Sequence, residues 1–367
     1  MKIREYGYEY DAVFRRDVWE NFKEGLGEVS VNYSNIMCLR SGRDALKLIA
    51  SNYENQIVFL PALACDSMIV PFEMYNFNIN YYSLNEDYSV DFSTLFLDLK
   101  KAKDKKCILL YMDYFGNQSF DDQQLNILKS TYKNLMFLED RTHNILLKSN
   151  RLFIPEFTIA SLRKWINIPD GGILWFEKEL KLLNFCNDTS FFKNRLSAQC
   201  LRNQYLNNGN EEIKKKYREI FSSVSKILDE DKLPGKMSKY SLSILKNADW
   251  DNIRKIRQEN SRILINIFKQ NNITLIQNKE GLSDLYVPIL VPNRNEIQKK
   301  LSQKNIFNTI IWPLRDSQMN ICQTAKKTCE NMLAVPCDQR YDSLDMEFIG
   351  NEIVKEVMNE KNYDIRG

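Results

Sequence analysis

The chain has 367 residues, 44% of them apolar and 12% aromatic, enough for a sizeable core shared between two lobes. Its net charge of +3 is nearly balanced and its basic runs at 100–106 and 214–219 are interrupted by acids, which argues against a nucleic-acid footprint. Eight cysteines without C-x-x-C or zinc spacing, and a single histidine, His143, exclude multi-histidine metal sites.

The opening "MKIREYGYEYD" has no apolar core for a signal peptide, and no apolar run reaches membrane-spanning length. With scattered cysteines read as buried, reduced thiols, this predicts a soluble cytoplasmic protein with no membrane partner. "GLGEVS" at 25–30 lacks the third glycine of a dinucleotide-binding turn, and no P-loop is present.

Helical spacing of Ala45, Leu46, Leu48 and Ile49 predicts a helix over 41–53 with Ser41 as its cap. Strands are expected at 57–60, 79–84, 107–112, 135–138, 157–161 and 172–176, with a short helix in "DSMIVPFEMYN". Short buried runs alternating with helical stretches predict an α/β fold, a large domain with a mostly parallel central sheet. Long helices follow over roughly 192–206 and 211–229, and the Pro-Gly pair in "DEDKLPGKMSK" (229–239) marks a boundary. We place a large domain at 1–235 and a smaller α+β domain at 236–367. The latter begins with a helix whose apolar face is Ile253, Ile256, Ile263, Leu264, Ile267 and Phe268. It continues through a strand at 285–291, the helix "NEIQKKLSQKN" and the strand "MLAVPC". A last helix starts near Asp342 and carries Met346, Ile349, Ile353, Val354 and Val357.

Ligands of α/β sheets gather beyond the carboxyl ends of the strands, where helix N-termini converge. Four motifs fall there: "SGRDAL" with Ser41 and Gly42, "YMDYFGNQ", "FLEDRTH" with Asp140 and His143, and "SLRKWINIPDGG" with Ser161 and Lys164. Singly, each reads as a cap or a solvated residue. Together, a phosphate cradle, a strand-end aspartate and a strand-end lysine are what pyridoxal phosphate requires. Its aldehyde needs an amine for an imine, its ring nitrogen a carboxylate, and its phosphate N–H and hydroxyl donors.

At these motifs the chain resembles the DegT/DnrJ/StrS sugar aminotransferases, of the aspartate-aminotransferase fold. "SGRDALKL", "VFLPALACDSMIVPF", "YFGN", "LEDRTH", "SLRKW", "IWPL" and "VPCDQRYDSLDM" follow the family's segments in order across most of the chain. The resemblance implies that Lys164 is the imine lysine and proton-transferring base, and that Asp140 is the ring-nitrogen partner. His143 contacts the ring oxygen or shields the ring, while Gly42 and Arg43 bind phosphate and Ser161 supplies a phosphate-binding hydroxyl. It implies a homodimer, with 194–206 contributing to its interface, that moves an amino group, by family habit from glutamate, onto a nucleotide-linked keto-sugar for polysaccharide or secondary-metabolite synthesis. The family's dehydratases replace the lysine by histidine, so Lys164 favours transamination.

Arg43 stands where most members have Thr, and Cys65 where many place an aromatic that stacks on the cofactor ring. These departures motivate one alternative, an inactive cofactor-binding regulator or scaffold; another is an enzyme acting on a non-sugar ketone, since nothing in the sequence reads the sugar directly. Arg163 beside Lys164 favours the neutral amine if its side chain points inward.

Overall fold

The computed structural model describes residues 3–11, 33–147, 151–181, 184–276 and 284–364. The "GLGEVS" stretch lies outside them.

The apolar runs become strands because both of their faces are covered. β3 (Ile57–Pro61), β5 (Cys107–Met112) and β6 (Leu135–Asp140) are buried at every position. With β2 (Asn35–Leu39), β4 (Asn78–Tyr82), β7 (Phe157–Ser161) and β8 (Gly172–Phe176) they form a seven-stranded sheet in the order β2-β8-β7-β6-β5-β3-β4. Only β8 runs against its neighbours, so the sheet is mostly parallel. Parallel neighbours need crossovers. Three are supplied by α2 (Asp66–Glu73), α3 (Phe92–Lys101) and α4 (Asp122–Thr131). The register aligns Met112 with Asp140 and Asp140 with Ile159, placing these residues side by side at one sheet edge.

The helix after β2, α1 (Gly42–Asn52), starts where Ser41 accepts the Asp44 N–H. Its face buries Ala45, Leu46, Leu48 and Ile49, as the spacing predicts, but also Asp44 and Lys47. Those charges are paired. Arg40 donates to both Asp44 oxygens at 3.0 and 3.1 Å and to Asp231 at 2.7 Å, and Lys47 donates to the Leu228 and Asp231 carbonyls. Breaking such a buried network by removing one partner is costly. The Pro-Gly stretch joins it: Arg40 N–H donates to the Gly235 carbonyl, and Gly235 N–H to Asp44. Thus the end of α6 (Glu211–Glu230) and the loop beyond brace the start of α1, and α5 (Ser190–Asn208) sets its Phe191 ring 5.8 Å from the Arg40 guanidinium. Within 194–206, Arg195, Ala198, Gln199, Arg202 and Tyr205 are buried inside the chain.

After α7 (Lys239–Lys246), α8 (Trp250–Gln270) opens a lobe built on an antiparallel sheet. Its order is β12 (Met332–Pro336), β10 (Tyr286–Leu290), β9 (Thr274–Leu275). α9 (Arg294–Gln303) and α12 (Ser343–Asp364) pack on it through Ile297, Leu301, Met346, Ile349, Ile353 and Val357. β1 (Tyr6–Gly7) pairs in parallel with β11 (Ile306–Phe307), which seats Tyr6 in the same core. α10 (Asp316–Met319) and α11 (Gln323–Asn331) return the chain to β12.

One helix face differs from its apolar pattern. α8 buries Trp250, Arg257, Asn260, Ser261, Leu264, Ile265 and Phe268, while Ile253, Ile256, Ile263 and Ile267 are half-buried. The polar residues turn inward because they hold backbone: Asn260 donates to the carbonyls of Asp338 and Tyr341, and Arg257 to those of Asp284 and Trp165. All eight cysteines are free. Among the described residues no helix is long and apolar enough to cross a membrane.

Candidate active site

The carboxyl ends of β5, β6 and β7 open on a cavity of about 520 Å³. The large lobe lines it with Ser41, Gly42, Arg43, Cys65, Met68, Met112, Asp140, Thr142, Ser161, Arg163 and Lys164. Across from them stand Tyr286, Thr309, Trp312, Asp338 and Arg340, with Glu9 and Tyr10 from the chain's start. Seven of the eight residues expected at the site therefore meet in one place. His143 is the exception.

Lys164 ends a 3₁₀ turn, Leu162–Lys164, directly after β7. The turn is held from outside: Trp165 donates its indole N–H to the Thr142 carbonyl, and Arg257 and Gln339 donate to the Trp165 carbonyl. Burial lowers the Lys164 amine from its ordinary value, Cys65 and Asp140 oppose this, and the positive charge of Arg163 adds to it. Neutral amine is the form that adds to a carbonyl.

Asp140 ends β6 with one oxygen accepting the Thr142 N–H at 2.8 Å. Burial raises its carboxyl, while Thr142 and the Lys164 charge pull it down. A cation brought beside it would strengthen the ionised form.

The anion side is built by close approach. Gly172, paired with Ser161 across β7 and β8, lies so near Ser41 that a Cβ there would stand 2.2 Å from its carbonyl carbon. A Cβ on Gly42 would sit 3.5 Å from that of Ser161. Gly172 of "PDGG" thus lets β8 seat the α1 N-terminus beside Ser161. There the Gly42 and Arg43 amides have no partner within their own helix. Asp170 fixes the turn, accepting from Ser238 N–H at 2.7 Å and from the Ser238 and Ser241 hydroxyls.

Arg43 lines the cavity, yet its guanidinium pairs with Asp229 at 2.7 Å and donates to the Ser225 carbonyl. Its amide is therefore the part left for an anion. Cys65 caps the start of α2 and its thiol contacts the Ser67 hydroxyl at 2.9 Å. His143 does not line the cavity. The turn after β6 sends Thr142 there and packs the imidazole 4.9 Å from the Phe115 ring and 5.7 Å from Trp312. Burial, then the Lys164 charge, drive its pKa well below the usual histidine range, so it is neutral. Phe115 holds a left-handed backbone (φ 54°) to make that contact, a strained conformation for a bulky residue.

The sequence reading assigned no role to Thr142, Trp312, Glu9, Arg257, Asp338 or Arg340. Trp312 lies in the "IWPL" match and lines the cavity. Glu9 sits in an alternating Tyr-acid stretch whose pattern predicts nothing. Burial would raise its carboxyl, but Arg195 at 2.7 Å brings it to about 2.

These residues fit pyridoxal phosphate: an amine of lowered pKa, a buried carboxylate with a charge to neutralise, and helix amides beside two serines, around one cavity. No group of three or more potential metal ligands occurs among the described residues.

No protein-family model and no curated protein match this sequence. Solved structures do match the fold. A DegT DnrJ EryC1 StrS aminotransferase from Brucella abortus superposes with a TM-score of 0.63 at 14% identity, covering 92% of this chain and 89% of that one. PseC of Helicobacter pylori, an aminotransferase involved in pseudoaminic acid biosynthesis, gives 0.63 at 14% identity, with 97% and 100% covered. The E. coli GDP-4-keto-6-deoxy-D-mannose-3-dehydratase with bound hydrated PLP gives 0.60 at 11% identity, with 95% and 100% covered. From end to end, this chain has the fold of the DegT/DnrJ/EryC1/StrS sugar aminotransferases.

Proposed function

We propose that this protein is a pyridoxal-phosphate-dependent aminotransferase of that family. It moves an amino group from an amino acid, glutamate in the family's habit, to a keto-sugar carried on a nucleotide. We further propose that it works as a homodimer. The observation that carries the reading is the meeting of Lys164, Asp140 and the α1 N-terminus at the carboxyl ends of β7 and β6 and the start of α1, around one cavity.

Bound there, pyridoxal phosphate supplies an aldehyde that takes up an amine and a ring that draws electrons from the reacting carbon. The residues do the rest. Lys164 offers a neutral amine at lower pH than a free lysine, and the same Nζ would serve as the base that holds a proton at the cofactor. Asp140, steadied by the Thr142 N–H, would pair with the ring nitrogen and favour its protonated form. The α1 amides and the Ser161 hydroxyl would take the phosphate, while the Ser41 hydroxyl is spent on Asp44, donating to its carboxylate at 2.7 Å. Trp312, Met68 and Met112 line the apolar wall and keep water from the amine.

Lysine at position 164 supports transamination over dehydration, since one amine serves as both attachment point and base. Loading the protein with pyridoxal phosphate and adding amino acids one at a time tests this. At least one donor should convert the bound cofactor to its aminated form, and a nucleotide-linked keto-sugar should restore it. Covalent loading with no conversion by any donor would instead favour a binding protein without turnover.

A further inference from the structure

The cavity is lined by four arginines: Arg43, Arg163, Arg257 and Arg340. Three are committed. Arg43 pairs with Asp229, Arg340 forks onto Asp338 at 2.7 and 2.8 Å, and Arg257 is spent on Tyr10, Gln339 and backbone carbonyls. Arg163 makes no hydrogen bond and no ion pair among the described residues, and its Nε is sealed from solvent without a partner. Its guanidinium rests 5.5 Å from the Phe191 ring.

Arg163 is half-buried, and a guanidinium that lines a cavity with no hydrogen-bond partner keeps donors for an anion that a ligand brings. The position says which anion. Arg163 lies two residues after Ser161, the residue seated against Gly42 at the α1 N-terminus. Burial and then Arg195 lower its pKa, Glu9 raises it, and Arg43 and Asp170 follow in opposite senses, so both acids and the first residues of α1 lie within reach of its charge. At about 9, its pKa still leaves the side chain charged at neutral pH.

We infer that Arg163 is a phosphate-anchoring residue, its guanidinium clamping the phosphate monoester of the cofactor against the α1 amides and Ser161. This rests on the cofactor reading above and adds to it a charged clamp, drawn from the residue next to the attachment lysine. A guanidinium–phosphate contact is charge-assisted and directional, which a helix terminus alone is not. It also offsets the ring contact that Cys65 cannot give, by shifting cofactor retention from the ring to the phosphate.

Comparing pyridoxal phosphate with pyridoxal isolates the clamp. Both aldehydes react with Lys164, so any indirect effect of Arg163 on the lysine weakens them equally. In Arg163→Gln the affinity for pyridoxal phosphate should fall about tenfold or more beyond any loss for pyridoxal, and Arg163→Lys should recover part of that difference. Equal weakening of both aldehydes, or no loss for the phosphate ester, would overturn the assignment. A second measurement is independent of Lys164: inorganic phosphate should raise the thermal midpoint of the wild-type protein and raise that of Arg163→Gln less. If neither aldehyde reacted with the wild-type protein, the cofactor reading would fall while the phosphate shift still decided on Arg163. An equal shift in both proteins would overturn the clamp.

Discussion

The Lys164 amine nitrogen lies 5.7 Å from the centroid of the Trp312 indole. The same indole lies 5.7 Å from His143, so one residue of the C-terminal lobe covers both the lysine and the turn after β6. Trp312→Ala should release bound pyridoxal phosphate several-fold faster, and Trp312→Phe should restore most of the retention. Stopped-flow dilution of the loaded protein measures this. Trp312→Phe should also lose much of the fluorescence quench on binding, since Trp312 lines the cavity. Equal release rates in all three proteins would remove Trp312 from the site.

Lys164 should react with carbonyl reagents at a pH midpoint below the ordinary lysine value of 10.5, because burial lowers its pKa. Its charged neighbours move that midpoint in opposite directions. Removing positive charge with Arg163→Gln should shift it up, and removing negative charge with Asp140→Asn should shift it down. Absorbance of the adduct against pH reads all three. Shifts of the same sign in the two variants would show that the charges do not act on Lys164.

Asp140 sets function against stability. Burial raises its pKa, so the folded state holds the proton more tightly than the unfolded state. The ionised carboxylate is therefore a cost above the folded pKa that disappears as pH falls below it. Asp140→Asn should stabilise the cofactor-free protein at pH 7 by about 1 kcal/mol. That gain should shrink on acidification toward the usual carboxylate range, about pH 4. The same variant should bind pyridoxal phosphate more weakly. Denaturant melts at two pH values, with a cofactor titration, check both. A loss of stability at neutral pH would contradict the account.

Two glycines at the anion cradle should behave differently. A Cβ on Gly172 would enter the Ser41 carbonyl and lie 2.5 Å from the Gly42 nitrogen, both backbone atoms that cannot yield easily. Gly172→Ala should cost about 2 kcal/mol or more. A Cβ on Gly42 meets Ser161 at ordinary contact distance, so Gly42→Ala should fold with nearly unchanged stability. Equal midpoints for the two variants would mean that the close approach of β8 to Ser41 is not what builds the cradle.

Much of this was legible in the sequence, for physical reasons. Strands of the central sheet covered on both faces read as largely apolar runs, and "CILLYM", "FTIAS" and "GILWF" coincide with β5, β7 and β8. β2 escaped because Asn35 and Ile36 are exposed and Met37 and Cys38 only half-buried, which leaves no clean run or alternation. The two-residue pairing of Tyr6–Gly7 with Ile306–Phe307 spans almost the whole chain and has no local signal. On α8 an apolar pattern misplaces the buried face, because Arg257 and Asn260 are buried for the carbonyls they hold.

The site divides in the same way. Strand ends and a capped helix placed Asp140, Lys164, Ser41 and Gly42, since backbone alone determines where those side chains start. His143 was misplaced because its direction depends on the turn after Asp140, which gives the cavity to Thr142 and the aromatic cluster to His143. The direction of Arg163 was open for a similar reason. It follows Ser161 into a 3₁₀ turn instead of continuing a strand, so adjacent residues 163 and 164 both face the cavity.

The most direct test of the central claim is to reduce the pyridoxal-phosphate-treated protein with borohydride and locate the label by peptide mass spectrometry. The label should sit on Lys164, with stoichiometric yield in the wild-type protein and none at any specific site in Lys164→Ala. A label on another lysine, or equal labelling of the two proteins, would contradict the assignment of Lys164 as the cofactor-bearing residue.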